Sequence, residues 1–228
     1  GVYQDDASYA VLAKSIVSSH SYGLMNVPGQ PLPTRFPFGF PLLLSPIALF
    51  FPLEQNLLKV VPLIATLLNI ALLFGCWPFL SQNRSYWEGI FVSALYSTSP
   101  LVVGHTRMVM SEPVFTFFVL FGLILTEKYL VGKRIRLVPT LFSGAVIIYA
   151  LFVRTVGLAL LAAVLCRILI SSTQRTLKIL RIIYLGIGGI ALILTVLIIT
   201  PVKVSNLLPN EYSDQFVNPK AWGQVQIA

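Results

Sequence analysis

Two kinds of hydrophobic pattern divide this chain. From about residue 56 the apolar residues come in long, unalternated runs separated by short polar or basic stretches. Before that point they are interrupted by prolines, glycines and hydroxyl residues. Such long runs predict helices able to cross lipid, whereas a closed barrel needs segments of about ten residues that alternate polar and apolar. The predicted spans are 56–80, 89–104, 113–131, 138–153, 155–171 and 182–201, followed by a polar tail over 202–228. The fold class read from this pattern is all-α. It is a polytopic transmembrane helical bundle, with amphipathic juxtamembrane helices in a first extracytoplasmic loop over residues 1–55 and a transmembrane domain over 56–201.

The short loops orient the bundle. "EKYLVGKRIR" holds Lys128, Lys133, Arg134 and Arg136, and "RILISSTQRTLKILR" holds Arg167, Arg175, Lys178 and Arg181. Loops rich in lysine and arginine stay in the cytoplasm. Two loops on one side need an even number of crossings between them, so 138–171 is a hairpin of two short helices turning at "VRTVG". A single helix of that length would be about 50 Å long, far more than the hydrocarbon core needs. The same parity places "SQNRSYWE" inside, and the head, the 100–112 turn, Arg154 and the tail outside. Six of the eight acids, Asp5, Asp6, Glu54, Glu112, Glu211 and Asp214, then lie on the outer side. The outer face is therefore the chemical face. The glycine cluster "GIGG" at 186–189 either lets helices approach closely or simply fills space.

In the head, Tyr9, Leu12, Ala13, Ile16 and Val17 fall on one helical stripe, with Ser8, Lys14, Ser15 and Ser18 elsewhere on the wheel. A helix of this kind is expected to lie in the membrane interface.

Composition agrees with the pattern. Of 228 residues, 56% are hydrophobic and 11% charged, with a mean hydropathy of +0.83. Soluble domains carry nearer a quarter charged residues. The net charge of +8 is read as cytoplasmic loop charge, with no nucleic-acid partner. Cys76 and Cys166 both sit in apolar runs and are expected as free thiols. The chain begins at Gly1 and ends on "AWGQVQIA". It reads as a piece of a longer protein, lacking a first transmembrane helix and a C-terminal part.

Candidate chemistry gathers on the outer side. Asp5 and Asp6 open the amphipathic helix, where Asp5 can cap free backbone N–H groups and the helix dipole favours an ionised carboxylate. They are either cap and first-turn acid or catalytic residues. Arg35, a lone cation in "PLPTRFPFGFPLLL", either grips a phosphate or snorkels to lipid headgroups. "SPLVVGHTRMVMSEPVF" places His105, Arg107, Ser111 and Glu112 between two spans. Ionisable groups at membrane level point to function, against a local Arg107–Glu112 pair that closes the turn. Arg154 either pairs with Glu112 or an aspartate, or binds an anion. His105 has no second His or Cys at ligand spacing, so no metal site is expected. Phosphate-loop, zinc-protease and serine-hydrolase motifs are absent from the sequence.

The order "DDASY", a proline–aromatic stretch running into "PLLL", then "SP…R…SEP" between two spans and an R-x-x-G turn resembles the membrane glycosyltransferases of the GT-C class. The likeness is nearest to the group of protein O-mannosyltransferases and the lipid A aminoarabinose transferase, from Tyr3 to about Ile170. The resemblance implies a polyprenyl-phosphate-linked sugar as donor. It implies transfer of a hexosyl or pentosyl group to a lipid, glycan or protein acceptor, on the extracytoplasmic face of a plasma or inner membrane. It makes Asp5 the general base or acceptor-orienting carboxylate and Asp6 its acidic neighbour. Tyr9, Arg35, His105, Arg107, Glu112 and Arg154 become substrate-binding residues. Two departures stand out: Ser8 where several relatives have arginine, and a basic–Pro–Pro run broken into "RFPFGFP". The donor leaves as a phosphate, so no general acid is needed and a divalent cation is compatible but not demanded. The rival readings are a transporter or flippase of an anionic lipid or lipid-linked sugar, using the same arginines, and a purely structural remnant.

Overall fold

The computed structural model describes residues 4–18, 22–26, 36–52, 54–80, 86–131, 136–171 and 175–199. Every element among them is helical: α1 (Gln4–Ser18), α2 (Gly39–Phe50), α3 (Val60–Leu80), α4 (Tyr86–Thr98), α5 (Pro100–Thr106), α6 (Glu112–Leu125), α7 (Leu137–Val153), α8 (Gly157–Ile170) and α9 (Arg175–Ile199). A 3₁₀ turn, Gln55–Lys59, leads into α3, and a π turn, Thr126–Leu130, closes α6. Three stretches are long and apolar enough to cross a membrane: Asn56–Trp77, Glu112–Leu130 and Arg175–Ile198. α2, α7 and α8 are apolar but shorter. The predicted tail, 202–228, lies outside the described residues.

Prolines and their neighbours set the helix boundaries. The stretch expected as one span over 89–104 is two helices. Ser99 precedes Pro100, is forced out of the helical region and sits extended at φ −61°, ψ 124°. Pro100 then opens α5, where a missing N–H costs nothing. Inside α2, Pro46 cannot donate to the Leu42 carbonyl; the Ser45 hydroxyl takes that acceptor instead, at 2.8 Å. Between α7 and α8 the chain turns at Arg154–Val156, and the Gly157 amide donates to the Arg154 carbonyl at 2.8 Å. A side chain at Gly157 would run into the Ala150–Leu151 backbone. This close approach is the structural reason for the R-x-x-G spacing.

Two contacts show how the first helices seat. The apolar stripe of α1 does not face an open interface. Tyr9, Ala10 and Ala13 pack with Phe40, Leu44, Ala65 and Val114, while Leu12 and Ile16 pack with Phe38, Phe152 and Val196. The stripe is covered by protein on both flanks. α2 is in turn fixed to the end of α7: the Tyr149 hydroxyl donates to the Gly39 carbonyl at 2.8 Å, and Gly39 lies directly on the Phe152–Val153 backbone.

The bundle has two distinct ends. Asn56 and Lys59 at the start of α3 share a cavity with Asp6 and Val109, and Glu112 pairs with Arg154. At the other end the Trp77 indole donates to Glu88, and Arg167 grips Glu127 with two hydrogen bonds of 2.6 and 2.9 Å. The basic residues Lys128, Arg136, Arg167, Arg175 and Lys178 belong to the Glu127 end by their places at the helix termini. α7 and α9 pack through glycines: Gly144 lies on the Leu185 backbone and Gly188 on that of Leu141.

Candidate functional site

The site is built on the first turns of two helices. α1 begins at Gln4, so Asp5 and Asp6 both lie in its first turn, rather than Asp5 at its cap. Asp6 is 6% exposed, and its Oδ1 accepts the Val109 amide at 2.8 Å. Three residues along, the Tyr9 hydroxyl and the Ser111 hydroxyl meet at 3.2 Å, either able to donate. The Tyr9 ring stands edge-on to Phe36 and Phe40, at 5.0 and 4.8 Å between centroids. Ser111 sits at the N-cap of α6 yet makes no side-chain cap bond there. Its hydroxyl is turned to Tyr9 instead. Two hydrogen bonds thus fasten the head of α1 to the turn that launches α6.

Glu112, the first residue of α6, is ion-paired through Oε1 with Arg154. The pairing with Arg107, one of the two readings of that turn, does not occur. Arg107 is exposed at the end of α5 and makes no ion pair among the described residues. The second oxygen of Glu112, Oε2, is buried and has no hydrogen-bond partner among the described residues. A buried acceptor left unmatched is costly. Both side chains of the pair are about a third exposed (36% and 34%), which limits its worth to stability to about 0–1 kcal/mol.

A cavity of about 250 Å³ opens beside Asp6. Ala7, Ala10, Val11 and Lys14 of α1 line it together with Met25, Asn56, Lys59 and Val109. The Lys59 ammonium donates to the Asn56 side-chain oxygen at 3.0 Å. Lys14 and Lys59 went unrecognised in the sequence as site residues. Lys14 was legible, because positions 6, 10 and 14 follow one another along one helix face. Lys59 was not, because only tertiary packing brings the 3₁₀ turn against α1.

The expected residues therefore divide. Asp6, Tyr9, Glu112 and Arg154 come together with Ser111 at one end of the bundle. His105 is half-buried on the short helix α5 and Arg107 projects beyond it. The side chain of Asp5 and all of Arg35 lie outside the described residues. Among the described residues no group of three or more His, Cys, Asp and Glu is arranged to hold a metal ion. Comparison with protein-family models, with curated proteins and with solved structures finds no match to this chain.

Proposed function

We propose that the chain carries the donor side of a polytopic membrane glycosyltransferase. It would move a hexosyl or pentosyl group from a polyprenyl-phosphate-linked sugar to an extracytoplasmic lipid, glycan or protein. The observation that carries the reading is the fastening of the first turn of α1 to the turn before α6. It brings Asp6, the Glu112–Arg154 pair and a cavity to one end of an apolar bundle. Three stretches are long and apolar enough to cross a membrane, and α7 and α8 are shorter apolar helices beside them; the reading takes α4 with α5, α7 and α8 as three further crossings. The basic Glu127 end is the cytoplasmic one by loop charge, which puts the cavity on the extracytoplasmic side of a plasma or inner membrane.

In the proposed step an acceptor hydroxyl attacks the anomeric carbon. The bond from that carbon to the phosphate oxygen breaks, and the polyprenyl phosphate leaves with the electron pair. Asp5 takes the hydroxyl proton, a role that contributes about 10²–10⁴-fold where base and hydroxyl are aligned. Asp6, with one oxygen engaged by the Val109 amide, holds the helix that carries Asp5. Arg154 offers positive charge to the departing phosphate, and the unmatched oxygen of Glu112 accepts a sugar or acceptor hydroxyl. No step requires a metal.

The test is turnover of a panel of polyprenyl-phosphate sugars by the full-length protein in proteoliposomes, with Glu112→Gln and Arg154→Gln beside it. Each variant should lose roughly tenfold or more in transfer while unfolding at nearly the wild-type temperature, as expected for a pair about a third exposed and of low structural worth. If the unmutated protein consumes no donor while a labelled anionic lipid still crosses the vesicle wall, the transporter reading replaces this one.

A further inference from the structure

The geometry points to a lipid-phosphate subsite made by Lys14 and Lys59, which neither the arginines nor the paired acids supply. Lys14 comes from α1 and Lys59 from the 3₁₀ turn before α3, and both line the cavity beside Asp6. Among the described residues neither lysine is ion-paired. Among the described side chains Asp6 is the one carboxylate lining the cavity, and one of its oxygens is already taken by the Val109 amide. Among the described side chains the two lysines outnumber the one carboxylate, which suits an anionic phosphate. Two lysines lining one cavity from different elements suit the several oxygens of a phosphate.

The space and its surroundings select the rest of the ligand. At about 250 Å³ the cavity exceeds a bare phosphate, given that a water occupies roughly 30 Å³. It exists because α1 presents Ala7 and Ala10 there, where larger side chains would fill it. Leu49, Phe50 and Phe51 are exposed at the end of α2, immediately before the turn that bears Asn56 and Lys59. An amphiphile can lay its apolar chain on that surface and drop its phosphate between the lysines. The proposal rests on the glycosyl-transfer reading only for naming the lipid as a polyprenyl phosphate; the subsite itself stands on the cavity and its two cations.

The experiment measures binding to the full-length protein in detergent, by calorimetry and by ligand-induced thermal shift. The probes are a short-chain polyprenyl phosphate, phosphatidylglycerol and inorganic phosphate. Polyprenyl phosphate should bind the wild type, and Lys14→Gln, Lys59→Gln and the cavity-filling Ala7→Leu should each weaken it roughly tenfold or more. Lys14→Arg and Lys59→Arg should keep most of the affinity, which separates lost charge from lost folding. Equal binding of phosphatidylglycerol or of inorganic phosphate, with the same sensitivity to both lysines, supports the subsite and names the source of its phosphate. Absence of phosphate binding by the wild type, or folded glutamine variants that bind as tightly as wild type, overturns it. Binding without sugar transfer removes the glycosyl-transfer reading and leaves the subsite. Sugar transfer by a wild type that binds none of the three probes does the reverse.

Discussion

Asp6 has a job that the sequence did not reveal: its carboxylate receives the Val109 amide and so docks α1 on the turn before α6. Asparagine keeps an acceptor oxygen in the same place, so Asp6→Asn should unfold near the wild-type temperature. Asp6→Ala leaves a buried amide unmatched and should cost about 1–3 kcal/mol, read as a lower midpoint in detergent. Equal losses in both variants would mean that the hydrogen bond is not what matters. Tyr22 offers a pH test. It is buried, donates to the Phe36 carbonyl at 2.6 Å, and its hydroxyl is pushed well above the ordinary tyrosine value, first by burial and then by the nearby Tyr9. The folded chain therefore keeps that proton when the unfolded chain loses it at about pH 10. This contribution to stability is complete below that pH and falls away above it. Thermal midpoints of wild type and Tyr22→Phe should hold a constant difference between pH 7 and 9 and close, or cross, toward pH 11; parallel curves throughout would contradict the assignment. At this scale the sequence named Asp6, Tyr9, Glu112 and Arg154, and it offered the Glu112–Arg154 pairing as one of two choices. It could not name Lys59 or the Val109 amide, which meet α1 only through the folded chain.

The turn at Arg154–Val156 was legible because apolar runs and glycine–proline punctuation act locally, whereas the last helix, expected from 182, begins at Arg175 and takes in basic residues expected in a loop. What each apolar face covers was not. The α1 stripe was correctly traced to one side of the helix, yet that side packs on α2, α7 and α9 rather than lying open. The break at Ser99 shows a local signal outweighed by hydropathy: Pro100 marked it, but the run of apolar residues hid it. The cluster "GIGG" gives the sharpest prediction for an element. Gly188 lies on the Leu141 backbone, whereas Gly186 has nothing near the place of a side chain. Gly188→Ala should force α7 and α9 apart and destabilise by about 1–3 kcal/mol or more. Gly186→Ala should be neutral or stabilising by up to about 1 kcal/mol, through better helix propensity. Unfolding in detergent distinguishes them; equal effects of the two substitutions would refute the glycine-mediated packing.

For the whole molecule, charge sorts into two ends about 28 Å apart, the rise of the nineteen residues Glu112–Leu130. Among the described residues the Glu127 end carries Lys128, Arg136, Arg167, Arg175 and Lys178 against Glu88 and Glu127, and the cavity end carries Lys14, Lys59, Arg107 and Arg154 against Asp6 and Glu112. In a background with Cys76 and Cys166 replaced by serine, Arg107→Cys should react with an impermeant maleimide applied to intact cells. Lys128→Cys should react only after permeabilisation, and the opposite pattern would invert the bundle. Loop charge predicts the direction of the bundle, whereas the site needed residues from α1, α6 and the α7–α8 turn to meet, which hydropathy alone does not specify. The account turns on transfer from a polyprenyl-phosphate sugar with Asp5 as base. Release of free polyprenyl phosphate by the full-length protein, wild type against Asp5→Asn, measures it most directly. The predicted result is acceptor-dependent release that falls about 10²–10⁴-fold in the variant while folding is retained. Release at a near wild-type rate by Asp5→Asn would contradict it.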